Sequence, residues 1–162
     1  MQGYNPGLLD KLLAGREYKP VNSTLSQFSL EELKDSVAKD LEALLNTRKV
    51  IPPEILKAYP ACSKSIVAYG LPDFAGLALA STDDRAFICR ALAETISIHE
   101  PRLQNVKASL EMQESAVNRL NFAISAILVV HPAHEPVSFD AVLQPSSLQY
   151  TINKARRLSG SI

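Results

Sequence analysis

The 162-residue chain contains no tryptophan, and aromatic residues make up only 6% of it. A cleft built to grip sugars or nucleobases through stacked rings is poorly served by such a composition. Cysteine is nearly missing too. Cys62 and Cys89 are the only two, too few for a disulfide framework in a chain of this length, so a reducing compartment is expected. Net charge is absent: 17 basic residues balance 17 acidic ones. No global field draws nucleic acid or an anionic membrane, and net charge adds nothing to solubility, which mildly favours life inside an assembly. No apolar run is long enough to cross a bilayer, the longest being Ala126-Ile127-Leu128-Val129-Val130. The first ten residues are polar with Gly and Pro and lack the apolar core of a signal peptide, so a cytoplasmic location is expected. No glycine-rich phosphate loop and no G-x-S-x-G nucleophile elbow occurs.

What is present is enough apolar residue, 46%, to bury the core of one domain. Leu8, Leu9, Leu12 and Leu13 form a short amphipathic stretch ended by Gly15. Two turns of helix near a terminus are marginal alone, so these leucines are expected to dock either on the protein's own core or on a partner. Residues 16–27 are polar, include Pro20 and read as a connector. Ser29-Leu30-Glu31-Glu32 is a capping box, with Phe28 and Leu33 placed for a hydrophobic staple. It opens a helix with Leu30, Leu33, Val37, Leu41, Leu44 and Leu45 on one face, running to about Thr47. Arg48 and Lys49 suit its C-terminal dipole, and Pro52 and Pro53 forbid continuation. One more helical turn is expected over 54–59, then an extended or turn segment over 65–70 closed by Gly70. Ser81 or Thr82 caps a second main helix with Asp83 and Asp84 in its first turn.

The chain changes character at Ser97-Ile98-His99-Glu100-Pro101-Arg102-Leu103. Before it, Phe87, Ile88, Ala91, Leu92, Thr95 and Ile96 recur at helical spacing; after it, Val106, Ala108, Leu110 and Met112 alternate with polar residues. Pro101 expels Glu100 from the α region and has no N–H for the helix ladder. Strands are expected over 106–112, 120–129, 137–143 and 148–152, with a hairpin at Gln144-Pro145-Ser146-Ser147. Short links imply antiparallel pairing. The fold class is therefore α+β: two main helices packed on a mainly antiparallel four-stranded sheet, preceded by the short N-terminal helix. The expected division is an N-terminal segment 1–27, a domain 28–153 and a basic tail 154–162.

Chemistry is sparse. His131 and His134 lie three apart, with His99 and the cysteines elsewhere, but zinc needs three or four converging ligands. Solvated turn residues are the expectation, and no metal or cofactor is assigned. Cys89 falls on a helix face and reads as a small core residue rather than a nucleophile. Glu100 paired with Glu111 or Glu114 would supply the two carboxylates of a glycosidase. An arginine beside a glutamate favours the ionised form, the wrong direction for a general acid, and the cleft aromatics are missing. No enzymatic activity is expected. On pattern alone, Glu100 and Arg102 read as a surface ion pair worth under about 1 kcal/mol.

Three segments taken together carry a resemblance. They are Asp40-Leu41-Glu42-Ala43-Leu44-Leu45-Asn46-Thr47-Arg48, Ser65-Ile66-Val67-Ala68-Tyr69-Gly70-Leu71-Pro72-Asp73 and Glu100-Pro101-Arg102-Leu103. In order and spacing, with the strands that follow, the chain resembles the TssE baseplate wedge subunits of type VI secretion systems, relatives of the small wedge protein of contractile phage tails. The likeness spans about residues 8–152. It implies a non-enzymatic role beside the wedge subunits TssF, TssG and TssK, as a platform from which the TssB/TssC sheath polymerises around the Hcp tube. It implies protein contacts at Glu100, Pro101 and Arg102, which would orient an incoming strand, and at Leu8, Leu9, Leu12 and Leu13. It implies no nucleic acid and no membrane insertion. The lysozyme label attached to the phage relatives does not transfer, for the reasons given for Glu100. His99 departs from the pattern, since an apolar or aromatic residue is expected before the glutamate. A regulatory adaptor that holds one soluble partner with the same fold is the competing reading.

Overall fold

The computed structural model describes residues 29–74, 76–78, 81–111, 120–130, 133–144 and 147–155. The N-terminal leucine stretch, Phe28, Met112, Glu114 and His131 lie outside them. Ser29 caps helix α1 (Leu30–Asn46), and the reciprocal capping box with Glu32 is formed. This satisfies two orphan donors of the first turn. Leu33, Val37, Leu41, Leu44 and Leu45 turn into the core, and the guanidinium of Arg48 donates to the Leu45 carbonyl at the far end.

A short helix α2 (Pro53–Lys57) begins at the second proline, which suits a first helical position where no N–H bond is needed. The segment over 65–70, expected to be extended or a turn, is a turn: a 3-10 turn at Ile66–Ala68 follows another at Cys62–Lys64. The Ser65 hydroxyl accepts the Val67 N–H, a local side-chain bond that favours a turn over a strand. Helix α3 (Thr82–His99) is capped by Ser81 and ends one residue before Pro101's partner Glu100, whose φ is −120°.

The sheet is an antiparallel meander in the order β1-β2-β3-β4: β1 (Leu103–Glu111), β2 (Leu120–Val130), β3 (Ala133–Gln144) and β4 (Gln149–Lys154). The α+β architecture is as the sequence pattern predicts, with both main helices against one face of the sheet. The core is made by α1 and α3 with Phe122, Ile124, Leu128, Phe139, Ala141, Tyr150 and Ile152.

Two strands are longer than their alternation predicts. β1 starts at Leu103 because a bulge between Gln104 and Lys107, with Asn105 at φ 53°, resets the side-chain phase. β3 starts at Ala133 although Pro136 lies within it. Pro136 pairs with Ile127 of β2, but β4 reaches only as far as Lys154 opposite Phe139. The proline therefore sits where β3 has one neighbour, and its missing N–H costs no ladder bond there.

Candidate functional site: the helix-to-sheet corner

The three segments singled out in the sequence meet in space. After α1 the chain passes Arg48, which forms a parallel bridge with Leu71. The Lys49 N–H donates to the Leu71 carbonyl and the Leu71 N–H to the Thr47 carbonyl, both at 2.8 Å. Gly70, at φ 107°, delivers Leu71 to this bridge, and Leu71 is fully buried.

The third segment closes on α1. Glu100 and Arg102 face inward, not outward. The Glu100 side chain is 7% exposed and that of Arg102 24%. Arg102 Nε donates to Glu100 Oε1 at 2.7 Å and Nη2 to Oε2 at 2.6 Å, a bidentate fork. The remaining donors reach α1: Nη1 to the Ser36 hydroxyl at 3.2 Å, and Nη2 to the Asp40 carboxylate. The Arg102 backbone N–H also donates to Glu100 Oε1 at 3.2 Å. Burial opposes the charge of Arg102, but Glu100 and Asp40 outweigh it and hold the guanidinium more firmly protonated than a free one. The corner is locked to the sheet as well, since the Val129 N–H donates to the Arg102 carbonyl at 2.8 Å. The expectation of a solvent-facing ion pair is thus corrected: residues two apart along the chain share one side, and that side is α1.

His99, where the resemblance leads to an apolar or aromatic residue, packs edge-on against Tyr69 with ring centroids 5.3 Å apart. Its Nε2 lies 3.1 Å from the Ala68 carbonyl. A carbonyl only accepts, so Nε2 carries the proton. Burial lowers the pKa of His99, Lys49 lowers it further, and the Ala68 bond opposes both. Below the unfolded value of about 6.5 the unfolded chain takes up the proton first, so this residue's contribution to stability is full above that pH and is lost as pH falls towards the lower folded value. Urea midpoints measured at pH 7.5 and at pH 5.5 should therefore fall more in the wild type than in His99→Phe. An equal fall in both proteins would refute the assignment. Burial, with the Asp40 and Glu100 carboxylates, also raises the Tyr69 pKa, so its hydroxyl stays neutral beside the clasp.

The remaining sequence candidates are not drawn in. Glu111 is at the far end of β1, and His134 is exposed on β3 opposite Val129. Cys89 is half-buried against the core, and burial raises its thiol pKa, with the Leu110 N–H acting the other way. No cluster of three or more metal-ligating side chains occurs among the described residues.

Two features of the site escaped the sequence reading. Ser36 and Asp40, one helical turn apart beside the apolar stripe of α1, were the available signal for a buried cation. The other is the treatment of the sheet's last edge. The Asn46 amide accepts the Tyr150 N–H and donates to the Tyr150 carbonyl, as a neighbouring strand would. Glu42 accepts the Ile152 N–H, and Arg48 donates to the Leu148 carbonyl. The β4 edge is therefore occupied by side chains of α1 and of the residue pair that follows it. On β1 the outward N–H of Leu110 is directed at the Cys89 sulfur. Ala108, two residues earlier in the same phase, has no hydrogen bond to its outward backbone groups among the described residues.

The family model for the baseplate wedge protein gp25 matches residues 31–133, a stretch that takes in all but the first residue of α1, together with α3, β1, β2 and the three segments that meet at this corner. The chain belongs to the baseplate wedge protein gp25 family. Its similarity extends to proteins named anti-adapter protein IraD. Those of Escherichia coli O127:H6 (strain E2348/69 / EPEC) and O6:K15:H31 (strain 536 / UPEC) are each 28% identical over 131 residues, covering 81% of this chain and 87% of theirs. In this gp25-family chain, then, the family-like segments are the ones that tie helices to sheet. No helix among the described residues is long and apolar enough to cross a membrane.

Proposed function

We propose that this gp25-family protein is a structural wedge component of a type VI secretion machine, in the role of TssE, and that it performs no catalysis. The observation that carries the reading is the family match over residues 31–133, joined to a sheet whose two edges are treated differently. Unpaired N–H and C=O groups on an edge strand accept a strand from another chain. With β4 covered by Asn46, Glu42 and Arg48, β1 is the edge for a TssB/TssC sheath strand. The Glu100–Arg102 clasp sets the angle at which α3 hands the chain to β1. It acts on partners through that angle, because its own hydrogen-bonding groups are spent on α1. TssF, TssG and TssK are the proposed wedge neighbours, and the cytoplasm the proposed compartment.

The test is co-purification of tagged protein with the wedge subunits, together with counts of fluorescent sheaths in cells. Ala108→Pro removes an outward N–H on an edge strand, where proline is tolerated. The variant should keep its native circular dichroism spectrum and its wedge partners, yet form few sheaths. Normal sheath numbers in a folded variant would refute the edge assignment, and failure to recover any wedge subunit with the wild type would refute the wedge reading.

A second reading has its own support in the IraD anti-adapter proteins, which are similar over 81% of this chain. Under it, the same fold holds one soluble regulatory partner. Capture of a single adapter-type protein, with sheath assembly intact in a deletion strain, would favour this alternative.

A further inference from the structure

The open edge strand β1 carries two charges that no neighbour answers. Lys107, Ser109 and Glu111 are exposed on the sheet face turned away from the helices, while Ala108 and Leu110 between them pack against the core. Opposite the three on β2 stand Ser125, Ala123 and Asn121, all uncharged. Neither Lys107 nor Glu111 takes part in an ion pair among the described residues. They are too far apart to pair with one another, since four residues of strand span about 13 Å. Charges on an edge strand commonly keep copies apart. Their symmetric spacing about Ser109 does the opposite here.

We infer that the β1 edge pairs with the β1 edge of a second copy, antiparallel and centred on Ser109, so that two sheets join into one. A two-fold axis at this point presents one patch to itself, as a closed isologous dimer requires. It sets Lys107 of each copy opposite Glu111 of the other, and Ser109 opposite Ser109. Centring on Lys107 or on Glu111 would oppose like charges, and only the Ser109 register matches both. A strand of another sequence would have to supply both countercharges at this spacing, whereas β1 supplies them itself. The backbone suits the register. Ala108 and Leu110 direct their N–H and C=O groups outward, so Lys107, Ser109 and Glu111 fall at the non-hydrogen-bonded positions of the new boundary, where facing side chains approach most closely. The Ala108 N–H of each copy can donate to the Leu110 carbonyl of the other. The Leu110 N–H is already directed at the Cys89 sulfur and adds none, so the pairing is short and depends on its charges. The inference concerns the protein alone and does not rest on the wedge reading. Where both hold, a β1 edge paired to a copy is closed to a sheath strand, and the dimer is the idle form.

Sedimentation velocity of the full-length protein over a dilution series tests it. The wild type should pass from dimer to monomer on dilution, and more readily in high salt than in low. Lys107→Glu and Glu111→Lys each turn both attractive pairs into repulsive ones and should each weaken the dimer about tenfold or more. The double variant Lys107→Glu/Glu111→Lys restores opposite charges at both places and should dimerise like the wild type. An equal mixture of the two single variants should form a heterodimer, because the two acidic positions of one then face the two basic positions of the other. The substituted side chains are exposed, and native circular dichroism spectra confirm that each variant is folded. A wild type that stays monomeric throughout, or a dimer that either single charge reversal leaves unweakened, would overturn the inference. Single variants that dissociate yet fail to pair when mixed would overturn the Ser109 register.

Discussion

Arg102→Ala should lower the stability of the domain by about 3–5 kcal/mol, the loss that follows when one partner of a buried pair is removed. The reason lies in what stays behind. Glu100 remains at the end of α3 with a side chain 7% exposed, held only by the Arg102 backbone N–H, and the Ser36 hydroxyl and Asp40 carboxylate lose a shared donor. Arg102→Lys should recover part of the loss, since it restores the charge but not the bidentate fork. The double variant Glu100→Ala/Arg102→Ala should be less destabilised than the sum of its single changes, because the second substitution removes the stranded charge. Urea unfolding of the four proteins measures all of this. A cost below about 1 kcal/mol for Arg102→Ala would mean that the pair behaves as an exposed one and that its burial has been misjudged. Reduced sheath formation by Arg102→Ala is then interpretable only alongside its stability, which is why Ala108→Pro is the cleaner probe of the sheet edge.

Gly70→Ala should be comparably severe, at about 3 kcal/mol or more. At φ 107° an L side chain is strained, and a β-carbon here would lie 2.5 Å from the Thr47 carbonyl oxygen and 2.8 Å from its carbon. Both are backbone atoms and have little room to yield. Relief requires opening the Arg48–Leu71 bridge, which gives up two hydrogen bonds worth about 0.5–1.5 kcal/mol each, in addition to backbone strain of about 1–3 kcal/mol. Gly76→Ala is the control. Its φ of 90° carries similar strain, but nothing lies within 4 Å of the added carbon. Thermal or urea unfolding should therefore rank Gly70→Ala well below Gly76→Ala. Equal losses would show that the bridge yields freely and that strain alone sets the cost at both positions.

Much of the architecture could be read from the sequence because it is local. The capping box at Ser29 and Glu32, the break at Pro101 and the alternation of Phe122, Ile124, Ala126 and Leu128 each act within a few residues, and each forms as the pattern predicts. The bulge at Asn105 was hidden because one extra residue resets a period-two pattern without changing its composition. Over 65–70 extended and turn conformations both stayed open, because Ile66 and Val67 are strand-forming residue types while the deciding bonds are those of the Ser65 hydroxyl and the turn backbone. At the site, the sequence placed Glu100 and Arg102 side by side but could not say that they turn inward. Asp40 lies 62 residues from Arg102 in the chain and Asn46 lies 104 from Tyr150. Contacts of that range depend on how α1 lies across the sheet, which no window of sequence encodes.

The Asn46 amide lies against Tyr150 in the manner of a fifth strand that ends the sheet. Open-ended stacking of sheets needs two receptive margins on every copy, one to receive and one to offer. A copy with one margin already occupied by its own helix has only the other to offer. Strand addition at β1, as proposed, would then be stoichiometric, with cross-β growth through the sheet blocked at the β4 margin.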